Sequence, residues 1–508
     1  MAKKKGERHI EKGPQRQTEC DLDGGYRFPI RSPKDLTLEN IWAGIIGSRY
    51  SQALLLLTII GLSLRFYNLG FNSLWLDEAS TYTNSVSSFA QIWQATAAGE
   101  FNPPLFYWME HVMLMFGNSE VILRFIPAVV GVLTIPLIYC VGKEFMDRNV
   151  GIIAAAAFAF SPFLVYYSQE ARAYSMMLFF VVFAIIFYLK ALKDNRIRNW
   201  VLFGLLSALA FWSHFYAFAI IASLVLYALI VQLADLRRNI KKIWMVVLSV
   251  VVFSIACLPL IIVAFHLFAS RTASAPTFGV QGFDVIYQTL LQVAGFNELV
   301  MYLFLLLFIA GTVQAFLIDR NKGWFLVSLT VFTFVISIFL SYRMPMVPRY
   351  LIFFAAVFFI GVATSYRLFY SLVNNKGVVY GFLLVMVILN APVLAGYYSG
   401  YTKEDWRGFS AQMQLTAKPG DFIVLVPGYI SQPFDYYYTN GSFRTIQFEA
   451  ETAKDLDSID AQKVNNTIYY IVTADIYSAD PAGDALAWLK NNTKPVGQDN
   501  GIALFVSR

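Results

Sequence analysis

The chain has 508 residues, of which 57% are hydrophobic and only 14% charged, against about 25% charged in an ordinary soluble domain, so the composition excludes a soluble globular protein and points to a membrane. The formal charge of +6 is spread in short basic groups between apolar runs rather than gathered on one face, which sets aside a nucleic-acid binder. Three cysteines (Cys20, Cys140, Cys257) without CxxC spacing, and only four histidines, give no disulfide framework and no structural zinc site, and no metal or cofactor is expected.

Residues 1–45, beginning "MAKKKGERHIEKGPQRQ", are polar and basic and lack the apolar core and cleavage site of a leader, so a disordered cytoplasmic arm is expected there. Runs of about 20 apolar residues cross a bilayer. Eleven are predicted, near 50–69, 122–142, 149–167, 174–190, 199–213, 216–233, 243–267, 299–318, 324–341, 350–366 and 378–398, with one long run folded at "WSHFY" to give the fifth and sixth. The region 46–398 therefore forms a polytopic α-helical membrane domain, with a first outer loop at 70–121. With the N-terminus inside, the inner loops hold fourteen Lys and Arg residues, and the short outer loops hold only Arg172, Arg271, Arg343 and Arg349. An odd number of spans places residues 399–508 outside. There the composition shifts to charged residues and Asn, and "DFIVLVP" and "TIYYIVT" alternate with helical stretches around Trp406 and Ala485, the pattern of a small soluble α/β domain. The glycosylation triplets at Asn440, Asn465 and Asn491 all fall in this tail.

This topology brings the polar residues of interest to the outer face. Asp77 and Glu78 stand side by side in "NSLWLDEAST". Adjacent side chains diverge by about 100° on a helix and to opposite faces of a strand, so they cannot cooperate on one reactant; one can face it while the other is held in the scaffold by an arginine or a backbone N–H. The alternative is a solvated acidic turn. "EFNPPLFYWMEHVMLMFG" (100–117) is apolar but too short to span, and predicts an interfacial helix after Pro104 that walls one side of a cavity. Arg172 and Glu170 lie in "SQEARAY", and Arg343 and Arg349 in "YRMPMVPRY". An arginine fork suits a lipid phosphate, with snorkelling at a helix end as the other role for Arg349 and a local pair with Glu170 as the other role for Arg172. His214 among Trp212, Phe215 and Tyr216 has the setting of a packing residue at the interface.

The "DE" pair, "NPPLFYW" and the stretch "LRFIPAVVGVLTIPLIYCVGKEFMDRNVGIIAAAAFAFSPFLVYYSQEARAY" closely resemble the GT-C membrane glycosyltransferases of the protein O-mannosyltransferase and aminoarabinose transferase type. The match covers residues 50–190 well, the later spans mainly by hydropathy and "PRYL", and the tail poorly. The resemblance implies the GT-C fold and transfer of a sugar from a polyprenyl (dolichyl or undecaprenyl) phosphate to an acceptor hydroxyl outside the cytoplasm, with inversion at the anomeric carbon and without a metal. It implies Asp77 as the catalytic base and Glu78 as its partner. Arg349, Arg343 and Arg172 would then bind the donor phosphate, with Glu170, His214, Tyr350 and Asn102 in support. The partners implied are a polyprenyl-phosphate-linked sugar, a glycan, lipid or protein acceptor, and membrane lipid. The rival class is a transporter or flippase of polyprenyl-linked sugars, which would carry charges at mid-membrane depth and matched broken helices.

Overall fold

The computed structural model describes residues 20–508 except 24–28, 30–34, 36, 234–235, 273–275, 277, 440–443 and 465, and the backbone alone of 236–239. Most of the expected basic arm, and the asparagines Asn440 and Asn465 of two triplets, lie outside the described residues. Asn491 is exposed in the last turn of a helix. The chain divides into two compact units, up to Ala53 and from Leu54 onward.

In the first unit, helix α1 (Leu38–Gly47) starts at Thr37, whose side chain accepts from Asn40 N–H. Helix α2 (Arg49–Phe66) follows after one residue and belongs to the second unit from Leu54 onward. Asp23 accepts from Arg49 N–H at 2.7 Å and from Ser48 Oγ at 2.8 Å, so a carboxylate sits on the otherwise unpaired donors at the start of α2.

In the second unit, the first loop is itself helical: α3 (Leu76–Ser85), α4 (Phe89–Ala98), α5 (Pro104–Met113) and α6 (Glu120–Leu123). Helix α5 begins with proline at its first turn, where the missing N–H costs nothing. The membrane helices are α7 (Phe125–Phe145), α8 (Arg148–Phe160), α9 (Pro162–Ser168), α10 (Tyr174–Asp194), α11 (Ile197–Ser213), α12 (Ala217–Leu233) and α13 (Leu236–Arg271). After the short α14 (Asp284–Val293) come α15 (Glu298–Ile318), α16 (Arg320–Ser341), α17 (Phe354–Thr364), α18 (Tyr366–Val373) and α19 (Gly377–Tyr397). Among the described residues seven helices, counting α17 with α18 as one, are long and apolar enough to cross a membrane; bent pairs raise this to nine, and α11 and α12 are shorter apolar helices. The eleven expected runs all fall on helices, the first on α2 and the third on the pair α8 and α9. The bundle packs closely where side chains are absent: a Cβ at Gly311 would lie 1.9 Å from Gly361 O, so α15 and α17 touch backbone to backbone.

The third expected run is broken, not continuous. Pro162 has no N–H to offer the carbonyl of Phe158, four residues back. Arg65, at the end of α2, fills the gap by donating to Phe158 O at 2.8 Å and to Ala159 O at 3.3 Å. The bend of 58° between α8 and α9 turns the following "SQEARAY" loop back towards the first loop.

The tail folds as α20 (Trp406–Thr416), β1 (Phe422–Val426), α21 (Ser431–Tyr437), β2 (Ile446–Glu449), α22 (Ala453–Asp460), β3 (Ile468–Thr473), α23 (Ile476–Ala479), α24 (Asp484–Asn492), β4 (Thr493–Asp499) and β5 (Ile502–Ser507). The sheet order is β2-β1-β3-β5-β4, with β1 parallel to β2 and β3, and β5 antiparallel to β3 and β4. Along β1, Phe422, Val424 and Val426 enter one core and Ile423 and Leu425 the other. A central strand covered on both faces reads as an unbroken apolar run, which is what "FIVLV" is.

Candidate functional site

Asp77 and Glu78 occupy the first turn of α3, behind Trp75 as the N-cap. Acidic residues favour this position because the helix N-terminus carries partial positive charge. The two side chains diverge as helical neighbours do. Glu78 is fully buried and Asp77 is 25% exposed.

Glu78 is held from all sides. Arg124 grips it with a two-point fork, Nε to Oε1 and Nη2 to Oε2, both 2.7 Å. Ala171 N–H donates to Oε1 at 2.8 Å and Lys403 Nζ to Oε2 at 3.0 Å. Burial opposes the charge on Glu78, but Arg124 and Lys403 outweigh it and hold the carboxyl down to about 2. The three remaining N–H groups of Arg124 donate to the carbonyls of Leu69, Asn72 and Ser73 at 2.8–3.0 Å. All five guanidinium donors are thus engaged, and the first loop is closed around one ion pair.

On the other side of α3, two guanidiniums converge on Asp77. Arg349 Nη2 lies 3.3 Å from Oδ2 and Arg172 Nε 4.0 Å from the same oxygen, while Arg172 Nη1 donates to the Asp77 carbonyl at 3.0 Å. Arg349 Nε donates to Tyr174 Oη at 3.1 Å, and its guanidinium lies 5.5 Å from the Trp75 ring and 5.8 Å from that of Tyr350. Tyr350 stacks on Tyr216 with centroids 4.7 Å apart, and His214 packs against Tyr174 and Tyr350. Burial, then the charges of Arg172 and Arg349, pull His214 down to about 3, so the ring is neutral; its Nδ1 accepts from Tyr216 N–H. His214 is one panel of an aromatic wall.

Four residues of "SQEARAY" have distinct tasks. Gln169 caps the end of α2 by donating to the carbonyls of Leu64, Arg65 and Tyr67, and accepts from Tyr397 Oη. Ala171 serves Glu78, Arg172 serves Asp77, and Tyr174 accepts from Arg349. Glu170 does not pair with Arg172. It is fully buried with both carboxyl oxygens lacking a hydrogen-bond partner among the described residues, and Lys403 stands 3.9 Å away. Burial raises its carboxyl to about 7 against the pull of Lys403.

Of the other expected residues, Asn102 is buried and donates to Tyr107 Oη at 3.3 Å, in a narrow cleft that Thr81, Phe106, Arg172 and Ala173 also line. Arg343 stands apart from the cluster, donating to Thr272 O at 3.4 Å. Sequence reasoning missed Arg124 and Lys403. Arg124 opens an apolar run, within the expected span 122–142, and Lys403 follows the last span by a few residues in the tail; a lone charge at such a junction was the available signal. Among the described residues no group of three or more His, Cys, Asp and Glu side chains is arranged to hold a metal ion.

The tail meets the first loop directly. Ser73 Oγ donates to Asp405 at 2.9 Å, Leu74 N–H to Tyr437 Oη at 2.8 Å, and Glu120 accepts from Arg407 and Tyr437, each at 2.7 Å.

Residues 102–263 match the family model described as dolichyl-phosphate-mannose-protein mannosyltransferase. An uncharacterised protein of Aquifex aeolicus is 27% identical over 145 residues, which is 26% of this chain and 28% of that one, so the chain matches little more than a quarter of the relative's length. Among solved structures, ArnT from Cupriavidus metallidurans superposes with a TM-score of 0.59 at 13% identity over 90% of this chain and 98% of that one. The same protein bound to undecaprenyl phosphate gives 0.55 at 14% identity, over 89% and 97%. The archaeal oligosaccharyltransferase AglB from Archaeoglobus fulgidus, in complex with an inhibitory peptide and a dolichol-phosphate, gives 0.52 at 15% identity over 91% and 75%. The chain has the GT-C fold and is a multi-pass membrane protein.

Proposed function

From the premise of a multi-pass membrane chain with the GT-C fold, we propose that this protein is an inverting glycosyltransferase. It moves a sugar from a polyprenyl phosphate to an acceptor hydroxyl on the extracytoplasmic face of the cell membrane. The observation that carries this reading is the pairing of one accessible carboxylate, Asp77, with two guanidiniums, Arg349 and Arg172, against an aromatic wall. The structural neighbours that bind undecaprenyl phosphate and dolichol-phosphate support it.

The acceptor O–H attacks the anomeric carbon as the bond from that carbon to the phosphate oxygen breaks, and the electron pair leaves with the polyprenyl phosphate. Asp77 takes the acceptor proton. Arg349 and Arg172 stabilise the charge growing on the phosphate; the pairing of Arg349 with Asp77 is exchanged for one with the phosphate, which frees the base. Attack opposite the leaving group inverts the anomeric centre. Glu78 and Arg124 do not touch the reactants; they fix the turn that aims Asp77.

Two results test this reading. Arg349→Ala should raise the donor concentration needed for half-maximal rate with a synthetic polyprenyl-phosphate sugar and leave the acceptor requirement nearly unchanged, and Arg349→Lys should lie between it and wild type, because a point charge replaces a planar fork. Unaltered donor dependence in both variants would reduce Arg349 to a membrane anchor. For sidedness, the excess of basic residues in the alternate loops predicts that a reporter fused after Arg508 is active only outside the cytoplasm. A reporter active in the cytoplasm would put Asp77 on the wrong side for this reaction.

A further inference from the structure

The tail's sheet changes direction at β1. From β1 the chain passes through α21 to β2 on one side, then returns through α22 to β3 on the other. In open α/β sheets such a reversal leaves a crevice at the carboxyl ends of the two central strands, because the connections leave in opposite directions, and ligands bind there. In this chain the point of reversal falls between Pro427–Tyr429, which follow β1, and Thr473–Asp475, at the end of β3. Tyr429 Oη donates across it to Asp475 O at 3.3 Å.

The crevice abuts the loop that carries Asp77, and two contacts place it there. Residues 403–405 form one bridge: Lys403 reaches Glu78 and Asp405 binds Ser73, while Glu404 between them touches the β4–β5 turn, its Cγ 3.1 Å from where a Cβ on Gly501 would stand. That turn lies beside the carboxyl end of β3, since Ile502 pairs with Thr473. Helix α21, which starts two residues after Tyr429, forms the other bridge, with Tyr436 edge-on to Tyr82 of α3 at 4.8 Å. Trp75 Nε1 on the loop side and Gln432 Oε1 on α21 are both closed off from water without a protein partner among the described residues.

Charge separates along the strands. Lys418, Arg444, Lys463, Lys494 and Arg508 gather at the amino end of β1 and β3; of the acids beside them, Asp421 is occupied by the N–H groups of Lys418 and Thr467, and Asp460 accepts from Tyr470 Oη. The carboxyl end carries Glu404, Glu449, Glu451, Asp475 and Asp499. Of the cations at that end, Lys403 is bound to Glu78 and Arg407 to Glu120, and Lys454 points out from α22. An anionic acceptor would meet this face at a cost, whereas carboxylates accept hydrogen bonds from neighbouring hydroxyls and a tyrosine ring covers the apolar face of a sugar.

We propose that the carboxyl end of the tail's sheet, between Tyr429 and Asp475 and opening onto Asp77, is the acceptor site, and that its ligand is a neutral glycan whose terminal hydroxyl receives the sugar. This rests on the glycosyl-transfer reading and adds the acceptor's chemistry to it. The donor's phosphate stays on the arginine side of α3 and the acceptor enters from the tail, so Asp77 lies between them.

The test uses the full chain in detergent on an array of neutral oligosaccharides, carboxylated oligosaccharides and Ser/Thr-rich peptides, which needs no catalysis. Wild type should hold neutral oligosaccharides. Asp475→Asn should weaken that binding at least about tenfold, the scale of a lost charge-assisted hydrogen bond, without changing the melting temperature, and Tyr429→Ala should weaken it likewise while the chain still folds. Cleavage of the polyprenyl-phosphate sugar by water, measured in parallel, should continue in both variants because it uses only the donor side. Preference for carboxylated glycans or peptides, no glycan retained by wild type, or wild-type retention by both variants would overturn the proposal. If instead wild type never cleaves the donor, the transfer reading fails, and the array result shows separately whether the tail binds sugar.

Discussion

Asp77→Asn should keep the fold and donor binding and lower the transfer rate at least about a hundredfold, the usual scale on which a positioned base contributes. The substitution is nearly isosteric and falls on the partly exposed member of the acidic pair, so Glu78, Arg124 and the loop they close are left as they are. It removes the negative charge that Arg349 and Arg172 share, so the donor phosphate should bind Asp77→Asn at least as well as wild type. Weak transfer with intact donor binding is therefore the signature. Near-normal turnover would remove Asp77 from the role of base.

Arg124→Ala should cost about 3–5 kcal/mol, the range for breaking a buried ion pair by deleting one partner. The loss goes beyond the pair, because the same guanidinium holds three buried carbonyls of the first loop, to which no other donor is bonded among the described residues. The prediction is a much lower melting temperature together with loss of transfer. Arg124→Lys should recover only part of it, since one ammonium with three donors cannot replace a planar fork with five. If Arg124→Ala melted like wild type, the loop's order would have to come from elsewhere. The contrast is informative: Asp77→Asn should impair chemistry without stability, and Arg124→Ala both.

The membrane part of the fold was legible because crossing a bilayer imposes length and apolarity on each segment separately. What hydropathy could not show is how a run bends: 149–167 reads as one span, and only Pro162 and the distant Arg65 explain its break. In the tail, β1 and β3 stood out as apolar runs, while β4 is a polar edge with proline, glycine and a register shift between Pro495 and Gly497, which erases the alternation of a strand. At the site, the divergence of Asp77 and Glu78 followed from helix geometry alone. Which of them turns inward depended on Arg124, concealed in an apolar run, and on Lys403, 325 positions away. Arg343 shows the converse limit: proximity in sequence to Arg349 did not bring it to the cluster, because its chain direction sends it towards Thr272.

The central claim is that the bond between sugar and lipid phosphate is broken on this protein. The most direct measurement places the purified chain in sealed vesicles with a polyprenyl-phosphate sugar labelled separately on the sugar and on the phosphate. The two labels should part, with free polyprenyl phosphate accumulating as sugar appears on the acceptor or in water, and Asp77→Asn should abolish the separation. Labels that stay joined while the intact lipid crosses to the other leaflet would contradict it and make the protein a transporter.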